Sequence, residues 1–121
     1  MDRLLRIWTL VVVMGSICLL SACGSSGRSA SQASVSACQH VTAVLSDGPD
    51  PGADPVGYAE SQILPLRQIH TTDQPLQLAV DRLASAYETF FDDDGSFGAK
   101  EKLTQAASSV NALCPGAGAG V

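Results

Sequence analysis

The 121-residue chain is short of aromatic side chains, which make up 5% of it, and its one tryptophan is Trp8 near the N-terminus. Basic side chains are scarce as well: 7 Lys and Arg stand against 12 Asp and Glu, for a net charge of −5. That balance excludes a nucleic-acid sheath, which needs clustered cations to replace phosphate counterions. No apolar run is long enough for a comfortable membrane span. The longest, Ile7–Leu20, has 14 residues, about 21 Å as a helix against a hydrocarbon core of roughly 30 Å. There is no Gly-x-Ser-x-Gly elbow, no glycine-rich phosphate loop and no familiar zinc spacing, so no motif supports catalysis and an enzyme is not expected. No segment alternates apolar and polar residues with β-branched enrichment, which argues against strands. The apolar share, 45%, is too high for an acidic disordered tail. The length suits one domain at most.

What is present begins with an address. Arg3 and Arg6 make the N-terminus cationic, the apolar run follows, and Leu20-Ser21-Ala22-Cys23 closes it. This is signal-peptide architecture. An ordinary secretory site wants small residues at −3 and −1, and Leu20 at −3 is too large. Leu20-Ser21-Ala22-Cys23 resembles the lipobox of bacterial lipoproteins. The resemblance covers only the leader. It implies a diacylglyceryl group on the Cys23 sulfur and cleavage before Cys23, so that residues 1–22 are the signal peptide. One acyl chain binds a membrane marginally, and stable anchoring takes two signals; a diacylglyceryl group brings both, palmitate-like chains, on one residue. No adjacent arginine pair is present, which favours the general secretory route. The expected location is the extracytoplasmic face of the cell membrane, held there by lipid.

Given that processing, the cysteines divide cleanly. Cys18 leaves with the leader, and Cys23 becomes a thioether. Cys38 and Cys114 remain, a pair in an oxidising compartment, and are expected to bond to each other. In the chain-entropy model a loop of this length contributes roughly 4.5 kcal/mol. A metal set of Cys38, His40, His70 and Cys114 fits no zinc spacing, and no metal or cofactor is expected. The processed chain holds 5 basic and 11 acidic side chains, a balance repelled by anionic headgroups. The folded part should therefore stand off the membrane.

Gly24–Ser36, GSSGRSASQASVS, reads as a flexible tether (with Cys23, residues 23–36) with a reach of about 20 Å. The helical domain is expected over 37–114, apart from the entering residues of its first helix. Cys38, Val41 and Leu45, with Ala37 and Val44, mark a helix over Val35–Ser46 that Asp47-Gly48-Pro49 stops. Asp54 as N-cap and Pro55 at the first helical position open a second helix, with Val56, Ala59, Ile63, Leu66 and Ile69 or His70 on one face. Pro65 inside that pattern predicts a kink or a split, because it has no N–H and its ring clashes with the Ser61 carbonyl. A third helix follows Thr71-Thr72-Asp73 and shows the clearest period: Leu76, Val80, Leu83, Tyr87 and Phe90 or Phe91. The fourth covers about Gly98–Leu113 through Ala99, Leu103, Ala106, Val110 and Leu113. Cys114-Pro115-Gly116 ends it, and 115–121 is expected to be a small, flexible tail. The fold class is all-α: a small antiparallel four-helix bundle closed by one disulfide. In that topology the start of the first helix and the end of the fourth meet, so Cys38 and Cys114 close the bundle.

Few side chains suggest chemistry. Asp92-Asp93-Asp94-Gly95-Ser96, with Glu88 nearby, is the one dense charge cluster. Counted from Asp92, a calcium loop would need Gly at its sixth position and a ligand at its twelfth, where Phe97 and Leu103 stand. A solvated turn capping the fourth helix is the expected reading, with a weak, millimolar cation site as its alternative. His40 and His70 do not share a helix face, and a haem site would need them to meet across the bundle with Tyr58 or Tyr87. Tyr58, Phe90, Phe91 and Phe97 are core candidates; Phe91 and Phe97, flanking the acidic turn, are the two that could form an exposed apolar patch. Beyond the leader, the Ser/Gly tether, Ala-rich helices and terminal Cys114-Pro115-Gly116 resemble small uncharacterised helical lipoproteins of actinobacteria. The likeness implies a place in the envelope and no mechanism. The expected function is a membrane-anchored, non-enzymatic helical interaction module that contacts an envelope protein or a cell-wall component, and no nucleic acid. The alternative is a carrier or scavenger of a small apolar ligand or haem within the bundle.

Overall fold

The computed structural model describes residues 25–121, with side chains from Gln32 onward. The expected leader, the Leu20–Cys23 motif and the start of the expected tether lie outside the described residues. Four helices follow in order: α1 Ser25–Leu45, α2 Pro55–Arg67, α3 Gln74–Asp92 and α4 Phe97–Leu113. Among the described residues there is no strand, and no helix is long and apolar enough to cross a membrane.

Three helices begin where side-chain chemistry marks a start. The Asp54 carboxylate accepts the Gly57 N–H at 2.9 Å, Asp73 accepts the Leu76 N–H at 3.1 Å, and Ser96 Oγ accepts the Ala99 N–H at 3.3 Å. Each satisfies a donor that the first helical turn leaves without an intrahelical partner. Pro55 and Pro75 sit in the first turns of α2 and α3, where a missing N–H costs nothing. Pro65 neither splits α2 nor leaves a long segment beyond it. It stands in the last turn, and the helix ends two residues later at Arg67.

α1 starts earlier than the sequence predicts. Residues 25–36, expected as a tether, are helical and continuous with the rest of α1. Once a helix is nucleated each further residue fixed gains its own hydrogen bond, and the segment's alanines favour propagation. Cys38 is consequently not in the first turn of its helix but two turns before its C-terminal end.

The bundle is centred on α3, which packs against both α2 and α4, while α1 lies mainly against α2. α3 buries Leu76, Val80, Leu83, Tyr87 and Phe90 at the spacing the sequence predicts, together with Ala79, Ala84 and Ala86. α2 contributes Tyr58, Ala59, Gln62 and Leu66, with Ile69 buried just beyond its end. α4 is rotated slightly from expectation: Ala107 is buried instead of Ala106, and Leu113 is 45% exposed. α1 buries Ala37, Val41 and Leu45 on one stripe.

The Cys38–Cys114 disulfide links α1 to the residue that caps α4, with Cα atoms 5.4 Å apart, within the range an unstrained bridge needs. The final residues are not the loose tail their composition suggests. Ala117 is buried. The Asn111 amide donates to the Ala119 carbonyl at 3.1 Å and accepts its N–H at 3.0 Å. Tyr87 Oη donates to the Gly120 carbonyl at 3.0 Å and accepts its N–H at 3.2 Å. Two side chains on neighbouring helices thus fasten two consecutive residues through their backbone alone.

Replacing both bridge cysteines by alanine should lower stability by about 2–5 kcal/mol. A thermal melt read by circular dichroism checks this, with the reduced wild-type chain falling in the same range.

Candidate functional site

The turn between α3 and α4 is the most distinctive surface. Asp93 closes α3, its N–H reaching the Thr89 carbonyl at 3.0 Å, and the Asp94 and Gly95 N–H groups return to Phe91 and Phe90 carbonyls at 3.1 and 2.8 Å. Asp94 holds φ at 49° and Gly95 at 70°. Asp tolerates this left-handed conformation better than most residues. At Gly95 a Cβ would also meet the Phe90 ring at 3.2 Å and Val56 at 3.3 Å, so glycine is required for both conformation and space. Phe90 therefore points inward and Phe91 outward. The result is a well-defined tip carrying Asp92, Asp93 and Asp94 between two exposed rings, Phe91 and Phe97, the latter 84% exposed. The carboxylates favour the positive N-terminal end of α4 and oppose the negative end of α3.

Nearby Glu88 does not join the acidic cluster. It pairs with Arg67 of α2 at 2.5 Å in a half-exposed ion pair, a class of contact that contributes about 0–1 kcal/mol. Among the described residues no three His, Cys, Asp or Glu side chains are arranged to hold a metal ion. His40 lies exposed on α1 and His70 exposed between α2 and α3.

The tyrosines are structural. Tyr58 and Tyr87 meet edge to face, centroids 5.9 Å apart and planes at 77°, a geometry that aromatic quadrupoles favour. Tyr58 Oη donates to the Leu45 carbonyl at the end of α1, at 2.7 Å. Tyr87 holds the tail. Burial pushes both phenols above their ordinary range, Tyr87 well above it, because the interior disfavours a phenolate.

Two features have no sign in the sequence. Ser34, in the segment expected as tether, donates its hydroxyl to Asp73 Oδ2 at 2.5 Å and so ties α1 to the cap of α3. That hydrogen bond, followed by the Leu76 N–H, holds the Asp73 carboxyl below its usual range. The other is Gln62, a polar side chain only 1% exposed on the inward face of α2. Its Nε2 donates to the Asp47 carbonyl at 2.7 Å and to Ser61 Oγ at 3.0 Å, while its Oε1 is buried without a partner. Beside the bridge, Val35, Cys38, Thr42, Leu113 and Pro115 line a shallow apolar groove between α1 and the end of α4.

Of the residues singled out by sequence, Cys38 and Cys114 are brought together, Phe91 and Phe97 are exposed at one tip, and Cys23 lies outside the described residues. Comparison with protein-family models, with curated proteins and with solved structures finds no significant match.

Asp73 should contribute to stability at neutral pH and lose that contribution in acid. Its folded-state pKa is depressed, so the contribution is present above the ordinary Asp range and fades as pH falls through the lower, folded value. Asp73→Asn, which keeps a capping oxygen, should melt below wild type at pH 7, and the gap should close in acid. Tyr87 has the opposite sign: its raised pKa keeps its contribution intact below about pH 10 and removes it as pH rises further. Tyr87→Phe should cost about 1 kcal/mol, flatten the alkaline limb of the melt profile and speed hydrogen exchange at the Gly120 amide.

Proposed function

We propose that this chain is a lipid-anchored protein of the extracytoplasmic membrane face, whose four-helix domain is a non-enzymatic contact module. The observation that carries the reading is the Cys38–Cys114 bond. Disulfides persist in oxidising compartments and are rare in the cytosol, and this one agrees with a leader that ends in Leu20-Ser21-Ala22-Cys23. Two covalent events at three cysteines then divide the work: Cys23 carries the diacylglyceryl anchor, and Cys38 with Cys114 locks the domain.

The contact surface that best suits such a module is the α3–α4 tip. Two exposed phenylalanines beside three carboxylates offer apolar area with a negative border, suited to a partner that presents an apolar spot among cations. An envelope protein or a cell-wall component carrying free amines meets that description. The alternative of an apolar-ligand or haem carrier calls for a hollow of about 300 Å³ or more inside the bundle. Tyr87, Leu66, Leu76, Leu83 and Leu103 fill the interior as one fully buried cluster, which favours surface contact over carriage.

Protein recovered from its own host should begin at Cys23, carry the mass of two acyl chains and a glycerol on that residue, and lack two hydrogens at Cys38 and Cys114. Cys23→Ala should move it from the membrane fraction to the soluble envelope fraction or leave the leader uncut. An intact leader on wild-type protein, or a free thiol at Cys23, would overturn the proposal.

A further inference from the structure

We propose that the seam where Tyr87 of α3 and Asn111 of α4 hold residues 117–121 is a peptide-binding site. The chain's own segment is its resident ligand, and a partner protein's segment of alternating small residues and glycines displaces it.

The hold is of a kind that reads backbone. Asn111 Nδ2 donates to the Ala119 carbonyl at 3.1 Å, and its Oδ1 accepts the Ala119 N–H at 3.0 Å. Tyr87 Oη donates to the Gly120 carbonyl at 3.0 Å and accepts the Gly120 N–H at 3.2 Å. Each side chain thus satisfies both polar groups of one residue, as a neighbouring strand would. A carbonyl only accepts and an N–H only donates, so this backbone admits one orientation of the Asn111 amide. None of the four contacts uses a side chain of the segment. The same four contacts are therefore open to any chain that presents its backbone in this shape.

Selectivity comes from size and conformation. Ala117 is 4% exposed, and a larger side chain there would overpack the core. Ala119 and Val121 pack partly buried against the same core. Gly118 and Gly120 hold φ at 73° and 137°, while a Cβ on either would meet nothing within 4 Å. Glycine is required at both positions for conformation and not for room. The ligand that fits is small–Gly–small–Gly.

The resident segment is also readily released. The disulfide fixes Cys114, and Gly116, at φ 83°, is a joint between that anchor and Ala117. Opening there gives up the four contacts, the Ala117 N–H bond to the Cys114 carbonyl at 3.0 Å and one fully buried methyl. The helix packing and the bridge stay as they are. Segments with so few apolar contacts open locally at far less cost than global unfolding. Opening uncovers Tyr87 Oη and the Asn111 amide together, ready for an incoming backbone. A tethered segment competes at an effective concentration of about millimolar, so the site stays closed to weak, poorly fitting peptides. The proposal is independent of lipid anchoring.

The full chain, labelled with ¹⁵N, is compared with the double variant Gly118→Val, Gly120→Val. Two β-branched residues at positive φ unseat the segment without touching the bundle. Both proteins are titrated with Gly-Ala-Gly-Ala-Gly-Val blocked at both ends, with the same peptide N-methylated at its second alanine, and with Gly-Ala-Val-Ala-Val-Val. In the double variant the parent peptide should give saturable shifts of the Asn111 side-chain N–H₂, and the two altered peptides none. Wild type should bind the parent peptide about threefold or more weakly, the factor for a site closed at least two-thirds of the time. Asn111→Leu in the double variant should abolish binding. Ala119→Pro, which removes only the N–H that Asn111 accepts, repeats the test if the double variant does not fold. No saturable shift into the high millimolar range, or equal binding of the valine peptide, would mean that the seam only fastens its own segment and would overturn the proposal. A concentration-dependent wild-type dimer that the double variant abolishes would make a second copy the ligand and overturn the assignment to a partner protein.

Discussion

The disulfide between Cys38 and Cys114 is the constraint on which the rest of this architecture leans. α3 packs on both α2 and α4 through contiguous apolar faces, but among the described side chains α1 buries Ala37, Val41 and Leu45, with Cys38 and Val44 partly buried against the core. So narrow a stripe of small side chains buries little apolar area. The covalent link removes most of the freedom α1 would otherwise have to lose on docking. With α1 held in register, Ser34 can reach the cap of α3, the Leu45 carbonyl can receive Tyr58, and the Asp47 carbonyl can receive Gln62. Each is a single hydrogen bond worth about 1 kcal/mol, too little to place a helix and enough to fix its phase once it is placed.

Local chemistry made much of this legible. Asp54-Pro55 and Asp73 with Pro75 announce helix starts because a capping oxygen and a proline without an N–H suit only that position. The period of Leu76, Val80, Leu83, Tyr87 and Phe90 announces α3 because one face must be buried throughout. The cysteine pairing follows from the lipobox resemblance, which sets Cys18 and Cys23 aside and leaves Cys38 and Cys114. Other features depend on partners that only the fold supplies. Residues 117–121 are alanine, glycine and valine, with no side chain to signal attachment; the attachment belongs to Tyr87 and Asn111, which are far from them in sequence or on another face. Gln62 looks like a polar break in an apolar face until Gly48 and Asp47 arrive from the preceding connection. Leu113 and Ala117 exchange the expected places, large outside and small inside, because the chain turns back past Cys114. The early start of α1 was hidden for another reason: serine and alanine suit linkers and helices alike, and tertiary contact at Ser34 decides between them.

If the proposed acylation holds, the helical start at Ser25 changes the mechanics of anchoring. The path from the membrane to Ala37, the first buried residue among the described side chains, is then mostly α-helix, about 18 Å from Ser25 at 1.5 Å per residue. A helical stalk transmits orientation as well as distance, whereas a coil transmits only distance. The acidic tip would then be presented at a defined angle to the bilayer, an arrangement suited to a surface that meets a partner fixed in the same envelope.

The tyrosine pair gives the domain a built-in optical probe. The sequence has two tyrosines and one tryptophan, and the tryptophan, Trp8, lies in the proposed leader. A chain beginning at Cys23 therefore emits from Tyr58 and Tyr87 alone, two rings in fixed edge-to-face contact. One hydroxyl is moored to the end of α1 and the other to the C-terminal segment. The near-ultraviolet ellipticity of this single chromophore couple consequently senses both peripheral attachments at once, so loosening at either periphery is readable without any added label.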